Sequence, residues 1–168
     1  KELADYPSTE GFHESENFVH YTEDIYVGYR YFETIPGAAE KVNYPFGFGL
    51  SYTEFDFKKM DIKPAEGGWN VSVTVENTGK VAGKDVVQVY VKAPKGELDK
   101  PERELKGFAK TPEIAPGESC ELSIFISHDS LASYDEKSSS WVVEKGKYTF
   151  VAAQDASDNS LKAKVKVD

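Results

Sequence analysis

The sequence predicts a mainly β protein in which two antiparallel sheets face each other as a β-sandwich. Residues 54–168 contain a series of short segments with alternating apolar side chains, and such alternation is typical of strands that bury one face. Turn-forming residues separate these segments, and no long stretch has the apolar spacing of a helix. Short strands joined by turns are typical of an immunoglobulin-like sandwich.

The clearest strand is 69–75, in which every second residue is apolar and lies on one face. The other predicted strands are 54–62, 85–91, 105–109, 119–127, 141–143, 148–153 and 161–167. The pattern Gly146-Lys147-Tyr148 before a late strand predicts a tyrosine corner, with the Tyr148 ring in the core and its hydroxyl bonded to backbone across the turn. Because Cys120 is the single cysteine, an inter-sheet disulfide is excluded, and the fibronectin type III-like variant fits better than an antibody-type domain.

Two tryptophans leave a choice between structure and binding. Trp69 and Trp141 both lie in strand-like alternation, so we expect both in the core together with Tyr148. The alternative is that the two indoles are exposed and stack on sugar rings. Cys120 also lies in an alternating segment, which favours a buried and unreactive thiol.

Residues 1–53 differ from the remainder of the chain. They carry three basic and nine acidic residues, a net charge of -6, and 12 of the 22 aromatic residues. A segment of this size without a disulfide or metal rarely buries so much aromatic surface alone. We therefore expect it to pack on residues 54–168 or on protein outside this chain. Within it, the sequence predicts a short strand at 18–21 and a helix at 24–33 that ends at Pro36-Gly37.

The stretch YPFGFGLSYTEF, residues 44–55, lies between these two parts. It is rich in aromatic residues and glycine, and this composition is too rigid for a flexible linker and too glycine-rich for an ordinary strand. We expect it to be a structural joint, because glycine permits sharp turns and close approach while proline fixes one backbone dihedral. The joint residues are Pro45, Phe46, Gly47, Phe48, Gly49 and Tyr52.

Composition and motifs argue against several functions. A net charge of -9 without a basic stripe argues against nucleic acid or an anionic membrane surface as partner. The apolar runs are too short for a membrane span. His13, His20 and His128 lack metal-ligand spacing, and no phosphate-binding loop or nucleophile elbow is present. We therefore predict no catalytic residue, no metal and no cofactor in this chain.

Compartment is left open by the sequence, with a cytoplasmic location favoured over secretion. The Asn70-Val71-Ser72 glycosylation sequon carries little weight because it lies inside a predicted strand. The chain begins at Lys1 without a methionine or a signal peptide, as expected of a piece of a longer protein.

Several motifs occur together in a specific order. They are 21–32 (YTEDIYVGYRYF), 44–55 (YPFGFGLSYTEF), 75–79 (VENTG), 101–108 (PERELKGF) and 146–148 (GKY). This arrangement resembles the C-terminal part of glycoside hydrolase family 3, the β-glucosidases and their relatives, over nearly the whole chain. The family pattern often has histidine where this chain has Phe48, and glycine where it has Asp24.

The resemblance implies three modules in the longer protein. These are a (β/α)8 barrel with an aspartate nucleophile, an α/β sandwich that usually carries the glutamate acid/base, and a fibronectin type III-like domain. Residues 1–53 resemble the last piece of the α/β sandwich and the connector, and residues 54–168 resemble the fibronectin type III-like domain. No residue of this chain matches either catalytic motif; Glu23 lies in a different family motif.

The resemblance therefore implies a retaining, exo-acting β-glycosidase, most simply a β-glucosidase, as the longer protein. This chain is expected to be its non-catalytic scaffold, inactive alone, with the remaining catalytic domains as partners in the same or a nicked chain. Carbohydrate substrate would be bound through those domains, and the loop 93–103 is a candidate for the rim of the active site. The alternatives are a free-standing carbohydrate-binding or adhesion module, or a spacer without a ligand.

Overall fold

The computed structural model of the protein describes residues 16–18 and 21–168. One short α-helix, α1, spans Tyr29–Thr34, and single 3-10 turns lie at Ala39–Lys41 and Asp129–Leu131. The strands are β1 (Phe55–Ala65), β2 (Gly68–Asn77), β3 (Val86–Lys92), β4 (Glu104–Lys110), β5 (Ser119–Ser127), β6 (Ser133–Asp135), β7 (Ser140–Val142), β8 (Gly146–Ala153) and β9 (Leu161–Val167).

Two antiparallel sheets form the body of the structure. One has the strand order β1-β2-β5 and the other the order β4-β3-β8-β9, while β6 and β7 form a separate hairpin. The mainly β sandwich predicted from the sequence is confirmed. Each predicted strand from residue 54 onward coincides with an observed strand to within three residues at either end; β6 was not predicted.

The core lies between the two sheets. Alternate residues of β2 and β3 supply fully buried or nearly fully buried valines, and Ile126 of β5 and Phe150 of β8 fill the space between them. Burial of each such side chain contributes about 1.5–3 kcal/mol relative to exposure. The valines are Val71, Val73, Val75, Val87, Val89 and Val91.

The central strand β3 is buried on both faces. Its other face holds Gln88 and Tyr90, which are also buried. Tyr90 belongs to a second apolar cluster on the outer side of the four-stranded sheet, against which Tyr29 of α1 packs. The segment before β1 therefore covers the outer face of this sheet, in accord with the expectation that its aromatic surface needs a partner.

The helix predicted at 24–33 is wrong in extent, because α1 begins only at Tyr29. Asp24 has φ 49° and Gly28 has φ 61°, and neither conformation fits a right-handed helix. The first part of the predicted helix is a series of turns instead. The predicted strand at 18–21 lies only partly within the described residues, and His13 and His20 lie outside them.

Tyr148 has the geometry of a tyrosine corner. Its side chain is 1% exposed, and its hydroxyl donates to the Glu144 carbonyl oxygen at 2.8 Å. Trp69 is partly buried and meets Phe150 edge-on, with ring centroids 5.9 Å apart. Trp141 was expected in the core, and this is wrong: it is 71% exposed, because β7 pairs only with β6 in a hairpin outside both sheets.

Tyr148→Phe should lower the free energy of unfolding by about 1–2 kcal/mol, because it removes the donor of a largely buried hydrogen bond and keeps the ring. The measurement is urea unfolding of the chain followed by circular dichroism. The matched control is Tyr134→Phe, since the Tyr134 ring is half exposed, and it should stay within about 0.5 kcal/mol of the native value. Equal stability of Tyr148→Phe and the native chain would contradict the corner.

The charged stretch 99–104 is fixed to the sandwich and is not simply a solvated connection. Arg103 is buried and donates to the Asp158 carbonyl and to Asn159 Oδ1, each at 2.8 Å. Lys100 forms a largely buried ion pair with Glu144. Buried charges of this kind are found where their hydrogen bonds are satisfied, so the loop is held to the sandwich.

Candidate functional site

The connector 44–55 is fixed to the sandwich first through aromatic rings. Phe46 stacks on Tyr29 with centroids 4.9 Å apart and an interplanar angle of 24°. Tyr29 in turn meets Tyr90 of β3 edge-on at 5.8 Å. The Leu105 N–H donates to the Tyr29 hydroxyl at 2.8 Å, and edge and offset-stacked rings at these distances are favourable geometries.

A buried amide then holds the backbone of Gly47. Gln88 accepts a 2.7 Å hydrogen bond from the Tyr90 hydroxyl. Its side-chain nitrogen donates to the Gln154 carbonyl and lies 3.5 Å from the Gly47 carbonyl oxygen. Gly47 has φ 88°, and a Cβ there would stand 2.3 Å from Gln88 Oε1. Only glycine fits this conformation and this approach without strain.

The network continues from Gln88 into the start of β1. Gln154 donates through its side-chain nitrogen to the Phe55 carbonyl at 3.0 Å and to Asp85 Oδ2 at 2.9 Å. The Ala156 N–H donates to the Phe46 carbonyl at 2.8 Å. The loop after β8 therefore binds both ends of the glycine-rich part of the connector.

The end of the connector is held by Asn77, which is completely buried. Its amide nitrogen donates to the Val81 and Ile114 carbonyls, both at 2.8 Å. Its amide oxygen accepts from the Thr53 hydroxyl at 2.7 Å and from the Gly79 N–H at 3.1 Å. All four hydrogen-bonding positions of the side chain are used, so Asn77 fixes Thr53 against two turns of the sandwich.

The opposite side of the connector faces outward with large apolar groups. Tyr52 is 99% exposed, and the other outward side chains are Tyr44, Phe48 and Leu50. Tyr44 and Phe48 contact each other with centroids 5.1 Å apart. An open hollow of about 390 Å³ next to this face is lined by apolar groups of α1, the connector and the residues between them, among them Phe32, Val42 and Pro45. A contiguous exposed patch of this kind is typical of an interaction surface.

The predicted joint residues thus have different roles in the structure. Phe46 and Gly47 contact the sandwich, whereas Phe48 and Tyr52 face away from it. A Cβ on Gly49 would meet nothing within 4 Å, so no contact in this structure requires glycine there. Sequence reasoning missed Asn77 and Gln88, and a signal for Gln88 was present, because it is an amide between valines in a strand.

Burial shifts the pKa of two ionisable groups beneath the connector, Tyr90 and Glu33. Burial raises the pKa of Tyr90 far above its ordinary value, so its hydroxyl remains a donor to Gln88 at neutral pH. Burial also raises the pKa of Glu33, and the nearby charge of Arg103 opposes that effect. Further out, a hydrogen bond to Asp99 raises the pKa of Tyr26 to about 12. The hydrogen bonds and burial of these groups connect the N-terminal segment to the sandwich.

Within the part of the chain that the structure describes, no three His, Cys, Asp or Glu side chains are grouped to hold a metal ion. No helix among the same residues is long and apolar enough to cross a membrane. Glu23 lies in a turn, and its backbone carbonyl accepts a hydrogen bond from the Tyr26 N–H at 2.8 Å.

Comparison with known proteins gives matches over nearly the whole chain. A fibronectin type III-like domain model matches residues 85–156. β-Glucosidase A of Butyrivibrio fibrisolvens is 51% identical across 95% of this chain and 21% of its own length. A β-glucosidase of Ruminococcus albus is 43% identical across 92% of this chain and 16% of its own length. The chain therefore spans about a fifth of the length of these relatives.

Solved structures match in the same way. The GH3 β-glucosidase of Bifidobacterium adolescentis superposes with a TM-score of 0.89 at 37% identity, over 98% of this chain and 24% of that one. β-Glucosidase 3B of Thermotoga neapolitana in complex with glucose gives 0.85 at 41% identity, over 97% and 22%. These matches confirm the resemblance stated from the sequence motifs. The chain corresponds to the part of glycoside hydrolase family 3 β-glucosidases that contains the fibronectin type III-like domain.

Proposed function

We propose that the longer protein is a retaining, exo-acting β-glucosidase and that this chain is its non-catalytic scaffold. In this proposal residues 1–53 complete the α/β sandwich domain, and residues 54–168 form the domain that supports it. The observation that carries the proposal is the connector, which is fixed to the sandwich on one side and presents Tyr44, Phe48, Leu50 and Tyr52 on the other.

The chemistry explains why such support matters. Retaining hydrolysis of a glycoside needs two carboxyl groups about 5–5.5 Å apart, one as nucleophile and one as acid/base. Small displacements of such groups cost large factors in rate. Because the two carboxylates belong to different domains in the resemblance, a rigid body against the acid/base domain would hold their separation. The Gln88 and Asn77 networks would transmit that rigidity to the connector.

Reconstitution tests this proposal. The longer protein would be produced as two polypeptides, the 168-residue chain and the remainder, and each would be assayed on an aryl β-glucoside alone and in a mixture. We expect no hydrolysis by the 168-residue chain, little by the remainder, and recovery of activity in the mixture together with co-elution on size exclusion.

The control is a mixture in which the chain carries Tyr52→Ser and Leu50→Ser, which should remain folded because both side chains are exposed but should bind the remainder weakly. Full activity of the remainder alone would contradict the scaffold role. Hydrolysis by the 168-residue chain alone would contradict the assignment of catalysis to the absent domains.

A further inference from the structure

A second exposed aromatic site lies away from the connector, on the β6–β7 hairpin. Tyr134 and Trp141 are directly paired across the two strands, and their rings meet edge to face with centroids 5.5 Å apart. Trp141 is largely exposed and Tyr134 is half exposed. The hairpin turn is stabilised locally, because Ser138 donates to Asp135 at 2.6 Å. A fixed pair of large aromatic rings in water is the kind of surface that supplies binding energy at interfaces.

Two hollows lie beside the pair, where the N-terminal segment and the sandwich meet; Tyr134 lines both of them and Trp141 lines one. One, of about 500 Å³, is lined by Trp141, Tyr134, Ile25 and an ion-pair cluster in which Glu104 contacts Arg30 and Lys106, each at 3.0 Å. The other, of about 450 Å³, is also lined by Tyr134 and Ile25. The aromatic hairpin is therefore continuous with the same N-terminal segment that carries the connector.

The second hollow is strongly acidic. Its lining includes one lysine, Lys137, and six carboxylates: Asp24, Glu97, Asp99, Asp135, Glu136 and Glu144. Glu144 is neutralised by Lys100, and hydrogen bonds from Ser138 and the Lys137 backbone lower the pKa of Asp135, which keeps it ionised. A surface of this sign attracts a cationic partner and disfavours an anionic one.

We propose that the β6–β7 hairpin is a second contact surface for the part of the longer protein outside this chain. It would receive a segment with an apolar side chain over Trp141 and a basic side chain in the acidic hollow. This inference rests on the proposed scaffold function. Three observations indicate this occupant: the relatives are about five times longer than the chain, the surface is continuous with the N-terminal segment, and its charge is negative.

The experiment measures the dissociation constant between the 168-residue chain and the remainder polypeptide by biolayer interferometry, over a range of salt. Trp141→Ala should weaken binding at least about tenfold, as truncation of a central aromatic contact does. The matched control is Phe108→Ala on β4, because Phe108 is 68% exposed and borders neither hollow; it should bind within about twofold of the native chain.

A double variant, Glu97→Gln with Glu136→Gln, tests the charge without touching the aromatic pair. It should weaken binding at low salt and flatten the salt dependence, because screening then has less attraction to remove. If Trp141→Ala lowers the melting temperature, this double variant decides the question, and an unchanged salt dependence would overturn the inference.

The outcomes separate the two proposals. Failure of the native chain to bind the remainder overturns the scaffold function and this inference together. Native binding that Trp141→Ala and the charge variant leave unchanged overturns this inference alone. The same variants would also be titrated with cellotetraose; loss of sugar binding in Trp141→Ala with unchanged affinity for the remainder would overturn the inference in favour of a carbohydrate platform.

Discussion

Asn77→Ala is expected to lower the free energy of unfolding of the chain by about 3 kcal/mol. The substitution removes a fully buried side chain whose four hydrogen bonds go to Thr53, Gly79, Val81 and Ile114. Each buried group left without a partner costs about 1–3 kcal/mol, although water entering the vacated space satisfies some of them. Urea unfolding followed by tryptophan fluorescence measures the change.

The matched control is Asn70→Ala on the same strand, because Asn70 is exposed and its loss should change stability by no more than about 0.5 kcal/mol. Asn77→Asp supplies a second test. It keeps the size of the side chain but turns two donors into acceptors that face the Val81 and Ile114 carbonyls, so it should destabilise at least as much as alanine. Similar stability of the Asn77 and Asn70 variants would refute the role of Asn77.

Gly47→Ala is expected to release the connector from the sandwich and to lower the free energy of unfolding by about 2–3 kcal/mol. Part of that cost comes from φ 88°, a backbone conformation unfavourable for alanine. The rest comes from the new methyl group, which would lie 2.3–2.7 Å from the Gln88 side chain, itself held by Tyr90 and Gln154. Hydrogen exchange of the Ala156 amide, which donates to Phe46, should become faster.

The neighbouring glycine provides the control. A Cβ on Gly49 would meet nothing within 4 Å, so Gly49→Ala should leave exchange of the Ala156 amide unchanged in the isolated chain. The double variant Gly47→Ala with Gln88→Ala should lose less free energy of unfolding than the sum of the two single variants. The reason is that Gln88→Ala removes the side-chain atoms that would clash with the new methyl group. Equal exchange in the Gly47 and Gly49 variants would exclude a specific fit at Gly47.

The sequence was sufficient to predict the β-sandwich, because the alternation of apolar and polar residues in its strands directly reflects which face of each strand is buried. In β2, the alternate valines all enter the core, and period-two patterns leave little freedom of register. The helix at 24–33 was less predictable. Its apolar spacing fits a helix, but the positive φ values at Asp24 and Gly28 come from local turns that override this spacing.

The candidate site was predictable only in part. The residues of the joint were found from composition and motif, but the direction in which each aromatic points depends on contacts distant in sequence. Gln88 lies 41 residues from Gly47, and Asn77 lies 24 residues from Thr53. Trp141 had a strand-like pattern, yet a hairpin outside both sheets leaves its side chain in water, and local alternation cannot distinguish these cases.

The burial of β3 on both faces has a consequence for where this protein can be divided. A boundary drawn at residue 54 from the strand pattern alone would strip Tyr29 and Phe46 from the sheet and leave Tyr90 and Val151 in contact with water. Such a fragment would expose an apolar surface and would be prone to self-association. An exchange of the β-sandwich between this protein and a relative should therefore move residues 29–53 together with residues 54–168.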